Sequence, residues 1–431
     1  MTEPLDLAII GFGPASLSFL IALHDHSEEP LKNKKIRVFE KLPTFSWHEG
    51  MLIPGSNMQI SFVKDLATPR DPTSYFTFLN YLHSHGQERL SGFLNMSTLE
   101  PSRYEYHDYL CWAASHFSKF VEYNANINKL HYDAATDLYI VGHGDTQWQA
   151  KNIIITTGCQ PYIPPLYKSV DSPLIVHSSK FMSDHSQKLL RNSKHGILVV
   201  GCGQSAAEIW KHCHYSLDPK TPLAMCFRNL APVPSDSSPF VNSLYFDSHN
   251  SHWWYNLPTE ARLKGLSVGR TTNYSVVKES LLEEMFKECY LQKLRYGQEF
   301  HQIMGDTDIQ SIKNEGDHLV VQLTSQMDKS KKPETRKIDV LYVATGYDHE
   351  SFDVLMSSLF PNSQGAQISE EYCVLNAPSK QGKVYVAGIT SNQHGIGETL
   401  LSWAAIRAGG LAKELFGPSK PTARVPASYL N

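Results

Sequence analysis

Apolar positions along the chain follow two rhythms: short unbroken runs, and longer stretches in which apolar side chains return at helical spacing. The first rhythm predicts buried strands and the second predicts helices. The run Leu7, Ala8, Ile9, Ile10 gives way, across Gly11, Phe12, Gly13, Pro14, Ala15 and Ser16, to Leu17, Phe19, Leu20 and Leu23. The same succession returns at Ile197, Leu198, Val199 and Val200, then Gly201, Cys202, Gly203, Gln204, Ser205 and Ala206, then Ala207, Ile209 and Trp210. Further strands are predicted at 36–39, 153–155, 223–227, 309–312, 319–323, 339–343 and 384–388, and helices at 74–85, 104–120, 276–290 and 398–412. The lysine-rich stretch 329–337 reads as a hairpin tip. Strands alternating with helices predict an α/β chain with parallel sheets.

Each strand–glycine–helix unit has the chemistry of a dinucleotide site. Gly11 permits the tight turn, Gly13 lets the backbone approach a pyrophosphate, and the helix after the turn aims its N-terminal amides at the negative charge. Ser16 takes the third glycine position. A glycine turn alone is a weak signal, but Glu40, at the end of the next strand, supplies the acid expected for a ribose hydroxyl. The polar insert 28–35 accounts for its late arrival. In the second unit the following strand ends in Arg228, which favours a 2′-phosphate and hence NADP(H), unless it is simply a surface arginine at a strand end.

Between these units lie segments suited to a cofactor wall and a substrate pocket. The irregular stretch 41–61, with Trp47, His48, Met58 and Gln59, either folds back over a cofactor or packs its aromatic ring into the core. Lys64, between apolar neighbours and ahead of Pro69 and Pro72, offers a point charge to a carboxylate; read by itself, a solvated lysine is the default. The strands 153–155 and 339–343 both run into Thr-Gly, at Thr157-Gly158 and Thr345-Gly346, and mark where the chain leaves one nucleotide domain and returns, with the first crossing between 162 and 194. The polar and aromatic stretch from 232 interrupts the second domain, as a substrate lid does. The expected architecture is two Rossmann-like dinucleotide-binding domains with a smaller, mostly helical insertion. Residues 1–165 and 347–431 form the first domain, 190–235 and 291–346 the second, and 236–290 the insertion.

Composition narrows the class. The chain has 431 residues, 41% hydrophobic and 19% charged, enough for several cores. A net charge of -4 gives no footprint for nucleic acid. Glu3 and Asp6 precede a short apolar run, so neither a secretory signal nor a membrane span is expected, and the protein is placed in the cytoplasm. Seven cysteines without a CxxC pair argue for reduced thiols, against a dithiol disulfide reductase and against structural zinc; no metal site is expected.

Taken together, the chain resembles the flavin-dependent N-hydroxylating monooxygenases, most closely the L-ornithine N5-monooxygenases of siderophore synthesis. The resemblance runs through 11–17, 45–72, 201–208, 239–242, 272–277, 344–347 and 394–402, of which 58–72 and 272–277 are specific to the family. It implies FAD held by Gly11, Gly13, Pro14, Glu40, Lys41, Trp47, His48, Met58, Gln59, Ile127, Thr399, Leu400 and Leu401. It implies NADPH held by Gly201, Cys202, Gly203, Gln204, Ser205 and Arg228, with Asn273, Tyr274 and Ser275 on the nicotinamide side. L-ornithine would be bound by Lys64, Asn242, Ser243, Leu244, Tyr245 and Ser402, with Lys64, Asn242 and Asn273 the catalytic group. The resemblance further implies that NADPH would reduce FAD, that O2 would add to give a flavin hydroperoxide, and that the substrate amine would take the distal oxygen. The family also implies a homo-oligomer, a tetramer. Lysine N6-hydroxylation, and oxidation of sulfur or ketones, are the alternatives. The related sulfur and ketone oxygenases carry FxGxxxH between the nucleotide domains; here His177 is present, but Asp171 and Pro173 stand in place of the Phe and Gly. A redox-sensing flavoprotein without hydroxylase activity is the non-enzyme reading.

Overall fold

A computed structural model of the chain describes residues 3–26, 29–360 and 365–418. Positions 1–2, 27–28, 361–364 and 419–431, assigned above to the first domain, lie outside the described residues. The unbroken apolar runs are strands covered on both faces, as parallel sheets require. All side chains of Ile197–Val200, Leu223–Cys226 and Val340–Val343 are buried.

The first sheet is seven-stranded, in the order Val121–Glu122, Ile36–Phe39, Leu5–Ile10, Thr146–Ile155, Leu138–His143, Lys129–Asp133, with Val384–Val386 pairing parallel to Thr146–Ile155. Its nucleotide half is parallel, with Leu7 opposite Ile36 and Asn152. An antiparallel meander, 129–155, extends it and was not foreseen. The second sheet is five-stranded and parallel, ordered His301–Met304, Leu223–Cys226, Ile197–Val200, Val340–Val343, Ile175–His177. A three-stranded antiparallel sheet, Thr307–Asn314, Leu319–Ser325 and Glu334–Ile338, packs Leu319, Val321 and Leu323 against Leu198, Val200 and Ala224. The lysine-rich stretch is thus partly strand and not all tip. Gln160–Pro161 and Tyr347–Asp348 pair antiparallel where the chain crosses between the two large sheets.

Several helix boundaries differ from the sequence reading, and side-chain capping explains two of them. The 74–85 helix is confined to Phe78–Ser84, because the Thr77 side chain accepts the Asn80 N–H and starts the helix there. Ser102 likewise caps Arg103–Ser115 through the Glu105 N–H, and the stretch to Phe120 is completed by a separate single turn, Ser118–Phe120. Val277 is bridged to a remote segment, its N–H donating to the Val233 carbonyl and its carbonyl accepting the Ser235 N–H, both at 2.9 Å, so the helix is Glu279–Tyr296. The 398–412 helix begins only at Leu401 and runs to Phe416. The insertion is helical, Pro239–Tyr245, Ser251–Asn256 and Thr259–Asn273, around a small core of Phe246, Trp254, Leu266 and Ile396. Among the described residues no helix is long and apolar enough to cross a membrane.

Candidate active site

At the first turn Gly11 has φ +98°, and a Cβ there would lie 2.5 Å from the Thr156 carbonyl oxygen, so only glycine fits. A Cβ on Gly13 would meet no protein atom within 4 Å, which leaves the face toward a pyrophosphate open. Pro14 opens the helix Pro14–His26. Glu40 is buried, its carboxylate fixed by the Phe12 N–H at 2.8 Å and the Leu42 N–H at 2.9 Å. The Glu40 carbonyl accepts the Ala125 N–H at 2.8 Å, which brings buried Ile127 into the same neighbourhood, while Lys41 is exposed. The hydroxyls of Thr157, beside this turn, and of Ser61, in the loop before Lys64, are buried without a hydrogen-bond partner among the described residues. An orphaned Thr157 hydroxyl beside an open glycine face fits a polar cofactor.

The stretch 41–61 is a loop that reaches toward the second sheet. Trp47 is half-buried beside Tyr106, and Met58 is buried, its N–H bonded to the Pro101 carbonyl at 2.9 Å; Gln59 is exposed. His48 has φ 50° and keeps an exposed edge; the protein packed around it and the Arg103 charge both lower its pKa from the usual imidazole value, so the ring is neutral at pH 7. A Cβ on Gly50 would fall 1.8 Å from the Ser179 carbonyl, whose segment belongs to the second sheet's side. That contact had no signal in the sequence.

The second turn repeats the first. Gly201 has φ +139°, and a Cβ there would lie 2.5 Å from the Ala344 carbonyl. Gly203 faces the Ser275 Cα, 3.5 Å from where its Cβ would be. Gln204 and Ser205 open the helix Gln204–Ser216. Burial pushes the half-buried Cys202 thiol up to about 11, so it is not a reactive thiolate at pH 7. Arg228 is exposed, two residues beyond the strand Leu223–Cys226 whose last carbonyl accepts the Gly201 N–H at 3.1 Å. A groove of about 320 Å³ lined by Ile197, Leu223, Phe300 and Arg336 lies at the opposite, amino-terminal ends of these strands.

Part of the remaining predicted set meets where the second turn, residues 396–402 and the insertion come together. Asn273 ends its helix half-buried, Ser275 is left-handed with φ 58°, and the Tyr274 hydroxyl lies 3.0 Å from Thr399 Oγ1. That contact joins the nicotinamide-side segment to Thr399, Leu400 and Leu401. Ser402 stands in the first turn of Leu401–Phe416, and the adjacent Trp403 Nε1 donates to the Phe246 carbonyl at 2.7 Å, tying this helix to the end of Pro239–Tyr245. Asn242 donates from Nδ2 to the Ser237 carbonyl at 2.7 Å, and Tyr245 packs its ring over Gly269. Lys64 is half-buried, with no carboxylate at ion-pair distance among the described residues. Asp247 sits below the usual carboxylate range: burial opposes this, but His249 and the Lys64 charge prevail. Ser243 and Leu244 are exposed, and their carbonyls accept from Asn250 Nδ2 at 2.6 and 3.3 Å.

Comparison with known proteins agrees with this geometry. Residues 3–349 match the family described as L-lysine 6-monooxygenase/L-ornithine 5-monooxygenase. An L-ornithine N(5)-monooxygenase of Aspergillus oryzae is 34% identical over 460 residues, covering 98% of this chain and 90% of that protein. Ornithine hydroxylase from Pseudomonas aeruginosa superposes with TM-score 0.86 at 27% identity, covering 96% of this chain and 99% of that one. The Kutzneria sp. 744 ornithine N-hydroxylase, in complex with reduced FAD, NADP+ and L-ornithine, superposes with TM-score 0.85 at 29% identity, over 96% and 99% of the two chains. Two nucleotide turns facing one junction, with a family match over most of the length, leave one conclusion: the chain belongs to the L-lysine 6-monooxygenase/L-ornithine 5-monooxygenase family.

Proposed function

We propose that the chain hydroxylates N5 of L-ornithine with FAD, NADPH and O2, as a step toward a hydroxamate siderophore. The balance is ornithine, NADPH, a proton and O2 giving N5-hydroxyornithine, NADP+ and water. The observation that carries the reading is the meeting of the Tyr274 and Thr399 hydroxyls, which joins the segments expected beside NADPH and FAD next to the helix of Ser402. Bound FAD, reduced by NADPH, supplies the oxygen chemistry.

The chain's own groups bind and orient. Gly13 and the first amides of Pro14–His26 receive the FAD pyrophosphate, Glu40 takes its ribose, and Trp47, His48, Met58, Ile127, Leu400 and Leu401 exclude water around it. Gly203 and the amides of Gln204 and Ser205 receive the NADPH phosphates, and Arg228 takes the 2′-phosphate. Lys64 pairs with the amino acid's carboxylate. Asn242 and Asn273 direct its terminal amine, which has a pKa of about 10.4 in water and must shed a proton before attack. The domain bounds proposed from the sequence, 1–165 with 347–431, 190–235 with 291–346, and 236–290, divide these tasks among FAD, NADPH and substrate. The assembly is a tetramer in the cytoplasm.

Lysine differs from ornithine by one methylene, worth about 1–3 kcal/mol in a pocket, and the family includes enzymes named for either substrate. The test incubates the holoenzyme with NADPH, O2 and ornithine, lysine, putrescine or a thioether, and scores hydroxylamine. Preferential hydroxylation of ornithine supports the proposal; preference for lysine or the thioether, or flavin reduction without hydroxylamine, overturns it.

A further inference from the structure

The two nucleotide turns belong to different sheets, yet a continuous chain of polar contacts runs between their neighbourhoods. Arg103 opens the helix Arg103–Ser115, whose Tyr106 and Tyr109 pack in the first sheet's core. Its guanidinium meets Glu208, on the helix that follows the second glycine turn, with two prongs: Nη1 to Oε2 at 2.7 Å and Nη2 to Oε1 at 2.9 Å. The two side chains are only 15% and 7% exposed. Glu208 Oε1 also accepts from Gln204 Nε2 at 2.8 Å, and Gln204 Oε1 accepts the Lys278 N–H at 2.9 Å. The Lys278 ammonium pairs with Glu100 and closes the circuit.

Both ends of this circuit touch the reaction's machinery. Gln204 is the first residue of the phosphate-facing helix, and Lys278 lies just beyond Asn273, Tyr274 and Ser275. On the other side, the backbone around Arg103 is laced to the loop ahead of Lys64: Arg103 N–H to Ser56 O at 3.0 Å, Met58 N–H to Pro101 O at 2.9 Å, Phe62 N–H to Leu99 O at 2.8 Å. Burial pushes the Glu208 carboxyl above its ordinary range, and Arg103 is foremost among the groups that oppose it. A buried pair of this kind adds little net stability over an apolar contact, so its value lies in fixing geometry.

We propose that Arg103 and Glu208 are positioning residues for the hydroxylation: by holding Gln204 in place against the loop of Lys64, they keep nucleotide and amino acid in register. The inference rests on the function proposed above. In register, each NADPH and O2 yields hydroxyornithine and water. Out of register, NADPH, a proton and O2 yield NADP+ and hydrogen peroxide, and the amine is unchanged.

The test compares the unaltered holoenzyme with Glu208→Gln and Arg103→Lys. The first keeps the shape but turns an amide N–H2 toward the guanidinium, and the second keeps the charge and loses the two-pronged geometry. NADPH consumed, peroxide, hydroxyornithine, bound FAD and the ornithine dissociation constant are measured together. Glu208→Gln should release about threefold or more peroxide per NADPH, a modest share of what an ångström of misplacement costs. FAD content and ornithine affinity should stay unchanged, Arg103→Lys should fall between, and the double variant should be no worse than Glu208→Gln. An unaltered peroxide ratio in both single variants, or peroxide that rises only as FAD is lost, overturns the proposal. If the unaltered enzyme itself makes no hydroxyornithine, the function fails as well; coupling in every variant removes this inference alone.

Discussion

Arg407 and Glu398 form an ion pair at 2.7 Å that is almost sealed from water, 4% and 0% exposed. The Glu398 carboxylate also receives the Gly388 N–H at 2.8 Å and the Thr390 N–H at 2.7 Å, so it gathers the end of the last strand and the helix of Ser402 around one anion. The sequence reading had placed Glu398 inside that helix. It lies before it, in the single turn Ile396–Thr399.

Arg407→Met should therefore leave a buried carboxylate without its cation, at a cost of about 3–5 kcal/mol. A thermal melt of the holoenzyme should show a midpoint several degrees lower. A change of under a degree would mean that the two backbone donors suffice.

Lys64→Ala should raise the KM for ornithine steeply while NADPH oxidation continues, because the substrate carboxylate loses its charge partner and the cofactor sites are untouched. Steady-state kinetics with ornithine and putrescine check it: the variant should close the gap between them. An unchanged KM would refute the pairing.

Arg228→Ala should erode the preference for NADPH over NADH by removing the cation expected at the 2′-phosphate. The ratio of kcat/KM for the two nucleotides is the readout. Equal loss with both would assign Arg228 another role.

Burial, and then the His214 charge, push the His301 pKa from 6.5 to about 4, and its Nδ1 lies 2.8 Å from His214 Nδ1, with Glu288 3.4 Å from the far side of that second ring. Because the folded chain holds His301 neutral, the unfolded chain binds the extra proton between pH 6.5 and 4. Stability is then complete above 6.5 and falls as pH drops through that window, by at most about 1.4 kcal/mol per unit. His301→Gln should flatten Tm against pH there. His48 is lowered as well, by its surroundings and by the Arg103 charge, so some slope should persist.

What could be read in advance follows from the range of each interaction. Both strand–turn–helix units were legible because burial on two faces demands an unbroken apolar run, and the glycines are forced by carbonyls of the adjoining strand ends, Thr156 and Ala344. The start of Arg103–Ser115 was legible to within one residue, since the expected helix at 104 rests on apolar side chains at helical spacing. Val277 was misassigned because its partners, Val233 and Ser235, are remote in sequence. The approach of Gly50 to Ser179 and the pairing of Arg103 with Glu208 arise only when the two sheets dock. No local pattern announces them.

The antiparallel pair Gln160–Pro161 with Tyr347–Asp348 sets the exit and re-entry of the chain side by side, with Tyr347 opposite Pro161. In covalent terms the segment from 162 to 346 leaves and returns through this doorway, although side chains tie it to the rest at other places. Cutting it out and joining the two stumps with a few residues would leave the seven-stranded sheet's chain continuous, and the excised piece could be recloned with its own ends nearly touching. Such an arrangement lets a second nucleotide module be grafted, lost or exchanged without disturbing the order of strands in the first.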